Sequence, residues 1–104
     1  MSDPRVERFR ALVAQHPTNE MFRFSLAQAL DAAGEQAEAE KNYLACVESK
    51  ADWMLPRILL GKLRLKANDR DGAKALFVEA LELAITQDHE DPAQELEQLL
   101  ADLE

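Results

Sequence analysis

Few residues in this sequence have the type and spacing of a catalytic or metal-binding site. The two histidines, His16 and His89, are isolated, and no set of cysteine, histidine and carboxylate residues at ligand spacing includes both. The acidic segment 88–91 is too short for a calcium loop and lacks the glycine and the alternating ligands of one. A glycine-rich phosphate loop and a nucleophile elbow are also absent from the sequence. We therefore expect a protein that is not an enzyme and that binds no metal and no other cofactor.

The single cysteine, Cys46, cannot form an intramolecular disulfide, which is compatible with a reducing compartment. No histidine or second cysteine is placed to activate its thiol, so we interpret Cys46 as a small core residue. No apolar run approaches the roughly 20 residues that span a bilayer, and the first residues lack the pattern of a signal peptide. These observations predict a cytoplasmic protein that does not enter a membrane.

The charge of the chain restricts its binding partners. The 104 residues carry a formal net charge of −8, which disfavours binding to nucleic acid and to an anionic membrane surface. From Arg57 to Lys74 the chain has six basic residues opposed only by Asp69 and Asp71, whereas nine acidic residues and no basic one follow Lys74. The simplest explanation is that the basic run pairs with the acidic end of the same chain.

A repeat of 34 residues organises the centre of the sequence. Each copy predicts two helices, and Gly34 or Asn68 ends the first helix in the left-handed conformation. Small residues at matching positions allow the two helices to approach closely, and a large aromatic residue fills the space one turn further on. The matched pairs are Leu26 with Leu60, Ala27 with Gly61, Gly34 with Asn68, Ala39 with Ala73, Tyr43 with Phe77, Cys46 with Ala80, and Val47 with Leu81.

This pattern resembles the tetratricopeptide repeat, which runs Trp-x₂-Leu-Gly-x₂-Tyr, then Ala-x₃-Phe, then Pro. Leu26-Ala27 and Leu60-Gly61 are similar to the Leu-Gly pair, and Ala73 with Phe77 matches Ala-x₃-Phe, as Ala39 with Tyr43 does in the first copy. The sequence departs from the family at Arg23 and Arg57, which stand in place of the Trp. The resemblance implies an all-α fold in which antiparallel helix pairs stack as a short right-handed solenoid of about six helices.

We predict one domain over residues 1–104, with an N-terminal helix in 1–17, repeats at 20–53 and 54–87, and a C-terminal capping helix in 91–104. Asp3-Pro4 and Asp91-Pro92 each combine an N-cap with a proline in the first helical position. Asp69 is a further candidate N-cap, for the second helix of the second repeat. Helices with a polar outer face are needed at the ends of a stacked repeat array. An alternative is that the last helix is a detachable ligand for a groove.

In the tetratricopeptide family the first helix of each pair lines a concave binding surface. The resemblance therefore implies a non-catalytic protein–protein interaction module, an adaptor or scaffold that binds a partner helix or peptide, with Lys62 and Lys66 favouring acidic residues. Two alternatives remain open: the terminal helices cover these residues as core, or a homodimer buries them in a structural, self-associating subunit. We call these residues the predicted stripe; they are Met21, Phe24, Gln28, Leu55, Ile58, Lys62, Leu65 and Lys66.

Overall fold

The computed structural model describes residues 3–104, and within that range the chain forms six α-helices and no strand. This confirms the predicted all-α class and helix count. Met1 and Ser2, which the predicted segment 1–17 includes, lie outside the described residues. The helices are α1 (Pro4–Gln15), α2 (Glu20–Ala32), α3 (Gln36–Ser49), α4 (Met54–Lys66), α5 (Arg70–Thr86) and α6 (Glu90–Asp102).

The chain divides into two compact units, the first ending at Ala51 and the second spanning Asp52–Glu104. In the first unit α2 packs against both α1 and α3, and in the second unit α5 packs against both α4 and α6. Within each unit short turns join the packed helices, so that consecutive helices of the same unit are antiparallel. None of the helices in residues 3–104 combines the length and the apolar character needed to cross a bilayer.

Three interhelical turns share one backbone conformation. Gly34, Asn68 and Asp88 have φ angles of 81°, 62° and 63°, which lie in the left-handed region. The residue after each donates its backbone N–H to a carbonyl oxygen five residues earlier: Glu35 to Leu30 at 2.9 Å, Asp69 to Arg64 at 2.9 Å, and His89 to Ala84 at 2.8 Å. The sequence predicted this conformation at Gly34 and Asn68 but not at Asp88.

The helix starts agree with two of the predicted N-caps and differ from the third. Asp3 accepts a hydrogen bond from the backbone N–H of Arg5 at 2.8 Å, and Asp69 accepts one from Gly72 at 2.9 Å. The last helix, in contrast, has His89 as its N-cap, without a side-chain cap bond. Because of the left-handed turn, α6 starts soon after α5 ends, and Asp91 lies inside the first turn of α6. There its carboxylate still interacts favourably with the helix dipole.

Each unit has its own core. In the first unit, Leu30, Tyr43 and Cys46 are almost completely buried, and Ala39 has no exposed surface. In the second unit, a cluster centred on Phe77 contains Ile58, Ala73, Ala80, Ala84 and Leu96. Ala39 and Ala73 are therefore buried, as the repeat pattern predicts.

The arginines in place of the family's Trp make polar contacts between helices. In the first unit, Arg23 donates to the side-chain oxygen of Asn42 at 3.4 Å. In the second, Arg57 donates from Nη1 to the carbonyl oxygen of Trp53 at 3.2 Å, and its Nε lies 3.3 Å from Glu79. Only 12% of the Arg57 side chain is exposed, because these partners hold its guanidinium against the helices.

Candidate protein-binding surface

In the first unit the predicted stripe is accessible at two of its three positions. Met21 is 59% exposed and Gln28 is also exposed. Phe24 is buried, with its ring centroid 6.1 Å from that of Tyr43 on α3. Position 24 thus lies on the face of α2 that packs against α3, and Phe24 contributes to the core of this unit.

In the second unit the apolar part of the predicted stripe is again only partly accessible. Leu55 is 45% exposed, whereas Ile58 is buried in the same cluster as Phe77 and Leu96. Leu65 is half-buried and packs against that cluster. The terminal helix α6 therefore covers part of α4, which is one of the alternatives that the sequence left open.

The two lysines of the predicted stripe lie in different surroundings. The Lys62 ammonium nitrogen is 2.8 Å from a carboxylate oxygen of Glu95 on α6, and about half of each side chain is exposed. Lys66, one turn further along α4, is exposed to solvent. A basic position on α4 is thus matched by an acidic one on α6.

An apolar cavity of about 240 Å³ opens beside Leu55. The first two turns of α4 contribute Met54, Leu55 and Ile58 to its walls, and the start of α6 contributes His89 and Pro92. Sequence reasoning identified Leu55 and Ile58 but missed the other three residues. The contribution of His89 and Pro92 depends on how α6 packs against α4, for which the sequence carries no local signal.

The contacts of α6 define its direction within the second unit. Its first turn lies beside the first turns of α4 at the cavity, and Glu95 in its second turn meets Lys62. At its far end, the carbonyl oxygen of Leu103 accepts a hydrogen bond at 3.0 Å from Arg70, the first residue of α5. Helix α6 therefore runs in the same direction as α4 and antiparallel to α5.

The buried thiol, a cavity in the first unit and the potential metal ligands are candidates for a site of another kind. Burial raises the pKa of the Cys46 thiol to about 11, which keeps it protonated and unreactive at neutral pH. A cavity of about 730 Å³ in the first unit has a mainly charged lining that includes Arg10, already paired with Glu38. No group of three or more His, Cys, Asp or Glu side chains among residues 3–104 is placed to hold a metal ion.

The fold is shared with solved structures of protein-binding helical repeats. The Yersinia enterocolitica type III secretion translocator chaperone SycD has a TM-score of 0.88 at 15% identity, covering 94% of this chain and 68% of SycD. Pseudomonas aeruginosa PcrH, in complex with the chaperone-binding region of PopD, has a TM-score of 0.88 at 21% identity, covering 94% of this chain and 74% of PcrH. The TPR2B domain of yeast Sti1, in a complex with pHsp70, has a TM-score of 0.85 at 15% identity, covering 94% of this chain and 78% of that one.

These identities are low, so the similarities to solved structures establish the fold alone. No curated protein sequence matches the chain. At the sequence level, residues 2–53, half of the 104 residues, match the family described as bacterial transcriptional activator domain. The chain therefore belongs to the bacterial transcriptional activator domain family, and its fold is tetratricopeptide-like.

Proposed function

We propose that this chain is a non-catalytic protein-interaction module, an adaptor or scaffold, whose second unit receives an apolar side chain from a partner helix or peptide. The observation that carries this proposal is the apolar cavity beside Leu55, a residue that is 45% exposed. Buried apolar anchors supply most of the binding energy at protein interfaces, so a cavity next to an exposed leucine suits such an anchor.

The size and lining of the cavity favour a side chain over a small molecule. Small-molecule pockets usually measure about 300–1,000 Å³ and contain several convergent polar groups. This cavity measures about 240 Å³, and His89 is the only polar residue among those that line it. A single large apolar side chain therefore suits it better than a cofactor or a metabolite.

Proteins of the same fold support binding of a peptide. The solved structures include SycD with a peptide of the translocator YopD, PcrH with the chaperone-binding region of PopD, and TPR2B with pHsp70. In the present chain, Met21 and Gln28 of the first unit and Lys66 of the second are the other exposed members of the predicted stripe. We propose that Lys66, on the same helix as Leu55, favours acidic residues in the partner.

A displayed library of random peptides tests this proposal with a defined probe. We expect the wild-type chain to enrich peptides that contain an apolar anchor, and we expect Leu55→Asp to abolish their binding, because the carboxylate would be desolvated beside the anchor. Val78→Asp is the matched control, since Val78 is 38% exposed on α5 and lies outside the cavity. Enriched peptides that bind the Leu55→Asp and Val78→Asp chains equally well would exclude the cavity as the binding site.

A structural, self-associating subunit is the second candidate, and one observation favours it. Val78 and Ile85 lie seven residues apart on α5, hence on one face, and are 38% and 64% exposed. A second copy of the chain would cover this face. Molecular mass measured by light scattering over a range of concentrations tests this, because a dimer should dissociate in Ile85→Asp but not in Leu55→Asp.

We also propose a cytoplasmic setting for this function. The only cysteine is a free, completely buried thiol, as is usual for a protein of a reducing compartment.

A further inference from the structure

We propose that the face of the second unit formed by α4 and α5 is a receptor for an acidic amphipathic helix, and that α6 occupies this receptor in place of a partner helix of the same pattern. This inference rests on the proposed function and names the class of partner. It follows from the way in which α6 is held.

The apolar contact between α6 and the receptor has one deep anchor and a shallow margin. Leu96 has no exposed surface and belongs to the cluster around Phe77 and Ile58. The other apolar residues of the helix are only partly buried against that cluster; they are Ala93, Leu99, Leu100 and Leu103. A partner helix therefore needs one central leucine, with apolar residues three before it and three, four and seven after it.

Two polar contacts, one beside the anchor and one at the C-terminal end of α6, set the direction and the charge of the occupant. Lys62 on α4 pairs with Glu95, the residue just before the anchor, at 2.8 Å. Arg70, at the start of α5, donates to the carbonyl oxygen of Leu103 at 3.0 Å, so the receptor also binds the C-terminal end of the helix. Charge complementarity thus selects an acidic helix that runs in the same direction as α4.

The turn that leads into α6 has a closing backbone hydrogen bond, but it carries backbone strain and lacks a side-chain cap. Asp88 adopts a positive φ of 63°, a conformation that side chains other than glycine disfavour, and the N-cap residue His89 makes no side-chain cap bond. The outer face of α6 carries acidic residues that make no apolar contact with the cluster, among them Glu97 and Asp102. The apolar face around Leu96 therefore provides most of the docking energy, and the two polar contacts set the direction of the helix.

A labelled peptide of residues 88–104 is the probe, and binding is measured by fluorescence anisotropy to the full chain and to a Leu96→Asp chain. In the variant a carboxylate replaces the buried anchor, so α6 undocks and the receptor becomes available. Only chains in which α6 is undocked can bind the peptide, and their fraction sets the apparent affinity. We therefore expect the Kd of the peptide for the variant to be lower than that for the wild type by a factor of about ten or more. A peptide carrying Leu96→Asp and a peptide of scrambled sequence should not bind.

A second variant keeps the test decisive if Leu96→Asp impairs folding. Glu95 is half exposed and is absent from the apolar cluster, so Glu95→Lys should leave the fold intact while it repels Lys62. We expect a smaller, salt-sensitive gain in peptide binding by the Glu95→Lys chain, and loss of that gain when Lys62→Glu is added. Ala75→Asp, at an exposed position of α5 that is absent from the apolar cluster, should leave peptide binding unchanged.

The inference is overturned if the folded Glu95→Lys and Leu96→Asp chains bind the peptide no better than the wild type does, with helicity verified by circular dichroism. Its outcome is separable from that of the proposed function. Peptide binding by the variants together with unchanged library capture by Leu55→Asp would retain the receptor and reject the cavity. Loss of library capture by Leu55→Asp, together with no gain in peptide binding by the variants at positions 95 and 96, would retain the cavity and reject the receptor.

Discussion

At the scale of single residues, the closest approach between α4 and α5 depends on Gly61. A Cβ atom added there would lie 2.8 Å from Cδ1 of Phe77 and nearer still to its Cε1. In a helix interior alanine is normally more stable than glycine by about 1 kcal/mol. Phe77, however, is completely buried, so its ring cannot move out into solvent to make room. We expect Gly61→Ala to lower the free energy of unfolding by about 1–3 kcal/mol, measured by urea denaturation.

The matched control for Gly61→Ala is the double variant with Phe77→Leu. The smaller side chain should relieve the clash, so Gly61→Ala should cost less in that background than alone. A denaturation midpoint for Gly61→Ala equal to or above that of the wild type would show that α4 and α5 are not in such close contact.

Ala73 provides a second test of the same interface, from α5. It has no exposed surface, whereas Ala75, two residues away on the same helix, is exposed. Ala73→Leu should therefore destabilise the chain by about 1–3 kcal/mol through overpacking, while Ala75→Leu should change stability by less than about 0.5 kcal/mol. Equal effects in urea denaturation would mean that the helix register assigned to α5 is wrong.

Cys46 gives a prediction with a defined pH range. Burial raises its pKa from the model-compound value of 9.0 to about 11, so the folded chain retains a proton that the unfolded chain loses above pH 9. This contribution to stability is therefore complete below about pH 9 and decreases as the pH rises towards 11. Denaturation curves over that range should show a steeper fall for the wild type than for Cys46→Ala, and parallel curves would contradict the raised pKa.

At the scale of helices and turns, local signals in the sequence predicted most of the structure. Apolar periodicity, Asp3-Pro4 and Asp69 were enough to predict a helix at the start of the chain and a helix pair in each repeat. The left-handed turn at Asp88 was missed because aspartate is a weaker signal for it than Gly34. Burial of Ile58 beneath α6 was left open as well, since it depends on contacts between residues distant in sequence.

The turn between α2 and α3 tests how far backbone conformation alone controls a helix end. Gly34 has a φ of 81° and no neighbouring atom within 4 Å of an added Cβ, so only backbone strain opposes a side chain there. Gly34→Ala should cost about 1–2 kcal/mol, whereas Gly34→Asn should cost less, because Asn68 adopts the same conformation in the turn between α4 and α5. Equal thermal stabilities of the two variants would contradict this.

At the scale of the whole molecule, acidic residues outnumber basic ones and pair with many of them. Arg57, Lys62 and Arg64 each form an ion pair, with Glu79, Glu95 and Asp69 respectively. Glu79 and Glu95 belong to the acidic end, which supports the interpretation that the basic run pairs with that end, whereas Asp69 lies within the run itself. A pair as exposed as Lys62–Glu95 contributes at most about 1 kcal/mol. Pairing does not change the formal net charge, which remains −8.

This charge leads to a prediction about the role of the chain within its family. The family is described as a bacterial transcriptional activator domain, yet binding to DNA requires basic side chains that replace the counterions of the phosphates. A chain of net charge −8 and pI about 4.7 is repelled by duplex DNA. We expect no binding to labelled duplex DNA by fluorescence anisotropy at about 150 mM salt, and none at lower salt, where repulsion is stronger. Affinity that rises as salt is reduced would contradict this prediction, because it would require a local basic surface whose attraction outweighs the net negative charge of the chain.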